Sequence, residues 1–232
     1  MKLQKGLIMQ KRSVREWTAR MVILVLGLVI AHLGVTLFML TELGADPFNV
    51  MIQGLAKHLP VSHGITHMAV CCLIILVLLA VDRSYIKAGT LVCMAFGGPI
   101  IDGFTLVLNS VVNGTLPLIL RLVTVVIACV ILAFGMTIVI QSDAGTGPND
   151  LVAVVLSDKL KRKFGIVRVA VDVSFVVVGV LLGGIFGIGT LVCAFVVGTA
   201  AGILMPVSMQ LVSRGLKMIG KISEEDGKIR TP

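Results

Sequence analysis

Long apolar stretches, broken by short polar ones, dominate the chain. The strongest runs cover residues 21–40, about 65–81, 88–108, 118–140, 166–182 and 185–211. Each comes close to the ~20 residues that carry a helix across ~30 Å of hydrocarbon. Short alternating strands and aromatic girdles are missing, which sets aside a transmembrane barrel. Two shorter apolar segments, 47–59 and 148–160, remain. At 1.5 Å per residue each reaches about 20 Å, too short to span, so each is expected at the interface or dipping into the membrane. The expected fold class is all-α: a polytopic helical membrane protein with about six transmembrane helices and two short extra ones. An eight-span arrangement, in which both short segments cross, is the alternative.

Composition points the same way. Of 232 residues, 57% are hydrophobic and 14% charged, and mean hydropathy is +1.06. A soluble domain carries about 25% charged residues. A soluble enzyme, a disordered chain and a nucleic-acid-binding domain are excluded. The net charge of +8 is then read by the positive-inside rule. With six spans, 18 of the 20 Lys and Arg fall on the side of both termini, and only Lys57 and Arg121 fall opposite. Both termini are expected in the cytoplasm, and the basic head is expected to precede an uncleaved first helix. The five cysteines all lie inside apolar runs and read as small packing residues.

The chain also repeats itself. At an offset of 101, Arg20 matches Arg121, and Gly34 and Thr36 match Gly135 and Thr137. Thr41-Glu42-x-Gly44-x-x-Pro47-x-Asn49 matches Ser142-Asp143-x-Gly145-x-x-Pro148-x-Asp150, and Gly64-Ile65 matches Gly165-Ile166. After a one-residue slip, Gly89-Thr90-Leu91-Val92-Cys93 matches Gly189-Thr190-Leu191-Val192-Cys193, and Gly98 matches Gly198. This organises the chain as a basic head (1–19), a first membrane repeat (20–112), a second (113–212) and a polar tail (213–232). Three spans per copy is odd, so the second copy must enter the membrane from the opposite side. Such inverted repeats are common in secondary transporters, whose sites lie between the copies near the midplane.

The repeated Gly-x-x-Pro-x-Asn/Asp motif and the Gly-Thr-Leu-Val-Cys block resemble the YczE/YyaS/YitT group of bacterial multi-pass membrane proteins, closest to its YczE-like branch. The segment Asp143-Ala-Gly-Thr-Gly-Pro-Asn-Asp150 is most similar to the family pattern. The first copy departs from it, with Asp46 in place of the glycine before the proline and Phe48 in place of Asn149. The resemblance implies a bacterial cytoplasmic membrane and a membrane protein or transporter, and it carries over no catalytic residue.

Candidate chemistry gathers at a few places. In the loops, Gly44, Asp46, Pro47 and Asn49 face Gly145, Thr146, Gly147, Pro148, Asn149 and Asp150 as counterparts. Gly with Pro at a helix start reads either as capping or as a broken-helix solute or ion site. The acidic residues there favour a cation or proton over an anion. Asp102 is a carboxylate in a span, read either as hydrated near the outer interface with Asn109 or as a proton or cation site. Arg168 and Asp172, spaced i, i+4, can pair with each other or hold the cargo. His63, His67 and Cys71 form a stripe, but three ligands on one helix rarely close a metal site. No metal or cofactor is expected. Gly179-x-x-x-Gly183 and Gly198-x-x-x-Gly202 suggest close helix contacts, within the bundle or in a homodimer. The basic run 157–163 reads as positive-inside charge or as a patch for a partner or lipid. With no Walker, dinucleotide or nucleophile motif, the chain is not expected to be an enzyme. The expected function is a permease for a small solute at the repeat interface. The alternatives are a non-transporting membrane factor and a membrane subunit of an ATP-driven importer.

Overall fold

The computed structural model describes residues 14–112, 115–162 and 164–229, with backbone only for 164–166, 168 and 219–229. Regular structure among these residues is helical throughout. In chain order it comprises α1 (Val14–Leu40), α2 (Pro47–Ala56), α3 (His63–Asp82), α4 (Ala88–Leu108), α5 (Leu118–Ser142), α6 (Pro148–Leu160), α7 (Phe164–Leu181) and α8 (Ile188–Ile229). Five of them, α1, α3, α4, α5 and α8, are long and apolar enough to cross a membrane, and α7 adds a shorter apolar stretch, Val169–Leu181. Leu106, Leu181 and Phe195 are 85%, 81% and 77% exposed. Side chains of this kind on an outer surface fit lipid rather than water as the surrounding medium. The chain is a helical membrane protein.

The short helices begin where their prolines predict. Proline needs no amide partner in the first turn, and its fixed φ suits a helix start. Two ends differ from the apolar pattern. The first helix already includes residues 14–20, ahead of the apolar run that starts near residue 21, and there Arg20 Nε bonds Glu16 Oε1 at 2.9 Å, one turn away. The last helix continues unbroken to Ile229, well past the apolar run that stops near residue 211 and into the polar tail.

The helices sort into two bundles. In one, α1 packs along α5, α4 packs against α1, and α8 against α5 and α1. In the other, α2 packs along α7, α6 against α7, and α3 against α2 and α6. The bundles meet mainly where α3 lies on α4.

The first bundle is built around an antiparallel crossing. Arg20 Nη1 donates to Ser142 O (3.0 Å) at one end of α1, and Arg121 Nε donates to Thr41 O (2.6 Å) at the other. Between them, glycines let the backbones touch. A Cβ on Gly34 would come within 2.5 Å of Leu132 N, and one on Gly27 within 2.9 Å of Val139 N. Positions 101 apart thus exchange partners, 20 with 142 and 121 with 41. The apolar clusters follow the same exchange. Leu24, Leu28, Cys93 and Val139 form one, and their counterparts Val125, Cys129, Cys193 and Phe38 form another. These reciprocal pairs join α1 and α5 at both ends of their crossing.

Candidate functional site

Two loops leave the first bundle and start the short helices. After α1, Glu42 adopts φ 55° and Gly44 φ +128°. A Cβ on Gly44 would also lie 2.9 Å from Thr190 N, so both backbone angle and space require glycine. Gly189 N donates to Leu43 O (2.8 Å) and Ala45 N to Thr190 Oγ1 (3.2 Å), tying this loop to the start of α8. After α5 the geometry recurs, with Asp143 at φ 52°, Gly145 at φ +155° and Gly89 N donating to Ala144 O at 3.0 Å. This loop is tied to the start of α4, where Lys87 pairs with Asp143 at 2.8 Å.

The two helix starts differ. Asp46 accepts from Asn49 N (3.3 Å) and caps α2, with Pro47 at the first helical position. At α6, Gly147 takes the cap position without a side-chain bond, ahead of buried Pro148. Asn149 Nδ2 donates to Asp150 Oδ1 at 3.2 Å, and Thr146 is half-buried. The capping reading of the motif therefore describes the first loop, and the second leaves a more open helix start.

From α2 a polar chain runs towards α3 and α4. Asn49 Nδ2 donates to Asp46 Oδ2 (2.7 Å), and His63 Nε2 donates to Asn49 Oδ1 (2.9 Å). Asp102, on α4, accepts from Gly64 N (2.9 Å) and from the Ser62 hydroxyl. Ser62 in turn accepts from Ile65 N at 3.1 Å and caps α3. A carboxylate at a helix N-terminus is stabilised by the unpaired amides and the dipole there. That accounts for a charge in a membrane span and makes Asp102 a tie between the two bundles. Beside it lies a cavity of about 490 Å³, with Met39, Leu40 and Leu106 as apolar wall and Gln53, Ser62, His63, Asp102 and Thr105 as polar lining. No Lys or Arg lines it.

Deeper along the same contact, two histidines from opposite bundles face each other. His32 (α1) and His67 (α3) stack edge-on, with ring centroids 5.8 Å apart. Gly97 of α4 makes room for them, since a Cβ there would lie 2.9 Å from His32 Nε2 and 3.1 Å from His67 Cε1. His32 Nδ1 bonds Leu28 O at 2.8 Å. A carbonyl only accepts, so Nδ1 carries the proton and Nε2 of the neutral ring is left as an acceptor toward the seam. The Asp150 carboxylate is near enough to interact electrostatically with His32, and Asp102 with His63. His32 was not among the residues singled out by sequence; a lone histidine within a long apolar run carries no local signal.

Other candidates fall elsewhere. Asp172 is half-buried on α7, away from the Asp102 cavity, and the Arg168 side chain lies outside the described residues. His67 Nδ1 is 3.8 Å from Cys71 Sγ, while His63 turns to Asn49, so the stripe does not converge. Among the described residues no group of three His, Cys, Asp or Glu could hold a metal. Gly179 packs on α2, where a Cβ would meet Met51 N at 2.5 Å, but Gly183 lies beyond the end of α7 in a turn at φ +84°. That spacing is therefore not one continuous helix face. In the basic run, Asp158 accepts from Tyr85 Oη at 2.9 Å, and Lys159 Nζ reaches Val81 O at 3.5 Å.

Comparison with known proteins agrees with the resemblance drawn from the repeated motifs. The chain is 25% identical to an uncharacterised Haemophilus influenzae protein, over 84% of its own length and 88% of the relative's. It is 25% identical to the Bacillus subtilis uncharacterised membrane protein YczE, over 88% and 92%. It is also 25% identical to the uncharacterised protein YyaS of the same organism, over 78% and 90%. No solved structure matches significantly. The model of a family of unknown function, DUF6198, matches residues 18–206. The chain belongs to that family.

Proposed function

We propose that the protein is a secondary transporter of a small solute in the bacterial cytoplasmic membrane, with both termini in the cytoplasm and its site at the contact between the two bundles. One observation carries this reading. Four polar groups of the membrane interior, His32, His67, His63 and Asp102, gather on that contact. Polar and ionisable groups are costly in lipid and mark solute and proton paths. The reciprocal pairing across α1 and α5 supports an inverted repeat of two three-span units, the architecture in which a central site is reached from alternate sides.

The charge of the site selects the cargo class. Asp102 lines the cavity and Asp46 stands one hydrogen-bonded residue behind His63 through Asn49, with no Lys or Arg in the lining. Such a site attracts a cation or a proton and repels an anion. The chain itself offers no nucleotide-binding motif to drive transport, so an ion gradient is the energy source in this reading.

Reconstitution in liposomes tests it. A panel of small cationic solutes, with and without an imposed pH gradient, should reveal gradient-dependent uptake. Asp102→Asn and Asp150→Ala should each reduce uptake at least tenfold while leaving the protein folded. Uptake unaffected by both removes these carboxylates from the mechanism. No uptake of any solute, with a gradient of either sign, argues against a transporter.

A further inference from the structure

The two bundles lean on each other on one side only. On that side α3 lies against α4, with Gly64 and Gly98 in backbone contact; a Cβ on either would collide with the other's carbonyl. The counterparts of this pair are Gly165 on α7 and Gly198 on α8. There α7 packs on α2 and α6 instead of α8, and a Cβ on Gly198 would meet nothing within 4 Å. The same holds for Gly202, one turn on. A two-fold relation that pairs Arg20 with Arg121, and one apolar cluster with its counterpart, is thus broken at one contact. At the broken contact both small residues are nonetheless present.

We infer that the α2/α3/α6/α7 bundle rocks between two seats on the other bundle, and that closing α7 on α8 at Gly165 and Gly198 accompanies opening of α3 from α4 at Gly64 and Gly98. The bundle can move as a unit because its own contacts are internal. Backbone meets backbone where Gly54 and Gly179 let α2 and α7 touch, and Leu78, Leu151 and Val155 join α3 to α6. The four chain crossings between bundles fall in loops. Two of them, at Gly44 and Gly145, hold left-handed backbone beside the starts of α8 and α4. Opening α3 from α4 would separate Asp102 from the Gly64 amide and Ser62, and would part His32 from His67. The polar seam would then be exposed on the opposite side from before. The seats share their small residues but not Asp102, whose counterpart is Gly202, so the α3–α4 seat is the more firmly tied, and a ligand shifts the population only by its differential affinity for the two. The inference deepens the transporter reading and rests on it for purpose, but its test reads shape and not flux.

Two spin-label pairs occupy counterpart positions, Leu73 with Leu91 across α3 and α4, and Ser174 with Leu191 across α7 and α8. All four are exposed. Cys72, the exposed native thiol, is replaced by serine, and the remaining four cysteines are buried. Distances measured in lipid nanodiscs should show two populations for each pair, with the fraction close in one matching the fraction far in the other. Gly198→Leu, which has open space in the structure, should fold normally and remove the population with α7 close to α8. Gly98→Leu should have the reverse effect; should it fail to fold, Gly198→Leu alone decides. A single long α7–α8 distance, the same in wild type and Gly198→Leu, overturns the inference. So do two pairs that shorten together, or dipolar coupling between chains labelled only at Leu191, which would show a second copy covering α8. Exchange that survives in a protein without uptake upholds the inference and refutes the transporter reading.

Discussion

Two arginines close the ends of the α1–α5 crossing by donating to carbonyls that a helix terminus leaves without partners. Hydrogen bonds to charged groups contribute roughly 1.5–3 kcal/mol. Arg20→Ala and Arg121→Ala should each destabilise the protein by about that amount, read as thermal unfolding in detergent. Because they sit at opposite ends of α1, the double variant should lose close to the sum. A loss below 0.5 kcal/mol for both would show that water satisfies Ser142 O and Thr41 O equally well. Asp46→Ala should cost about 1 kcal/mol through the lost cap of α2, with a smaller effect from substituting the uncapped Gly147 by Ala. The arginines were legible as a matched pair in the sequence, but their partners were not, since a backbone carbonyl 122 residues away from Arg20 leaves no trace in composition or spacing. Asp102 was legible as an anomaly; that it holds the start of α3 depends on Gly64, which only the folded chain brings near.

Glycine decides which helices may touch, and the same residue has opposite meaning at different places. Gly34→Leu would drive a side chain into Leu132 N and should disrupt the α1–α5 crossing, at several times the ~1–3 kcal/mol typical of overpacking when neighbours can yield. Gly103→Leu, on α4 with nothing within 4 Å, should be tolerated within about 0.5 kcal/mol. Comparing the yields of folded protein in detergent separates the two, and equal yields would contradict the close crossing. The middle apolar runs and the proline starts of α2 and α6 could be read directly, because length and first-turn chemistry are local, whereas α1 and α8 run on into polar sequence that hydropathy does not mark. The i, i+4 glycine spacing at 179 and 183 held at its first member, where Gly179 touches α2, and not at its second, because the helix ends at Leu181 and Gly183 serves a turn.

At the scale of the whole molecule, one chain builds two bundles, and each sequence repeat contributes half of both. The repeat itself was legible from its Gly, Pro, acidic and hydroxyl matches, since apolar matches between membrane helices are cheap. The division into bundles was not, because it depends on long-range partners: α2 joins α7 rather than its chain neighbour α1. The orientation of the two halves is the claim on which the proposed function depends most. Val61, after α2, and Arg162, after α6, are counterparts and both exposed. Single cysteines at these positions, in the Cys72→Ser background, can be labelled in intact cells with an impermeant maleimide. The account predicts labelling at 61 from outside and at 162 only after the membrane is opened; labelling of both from the same side would contradict it.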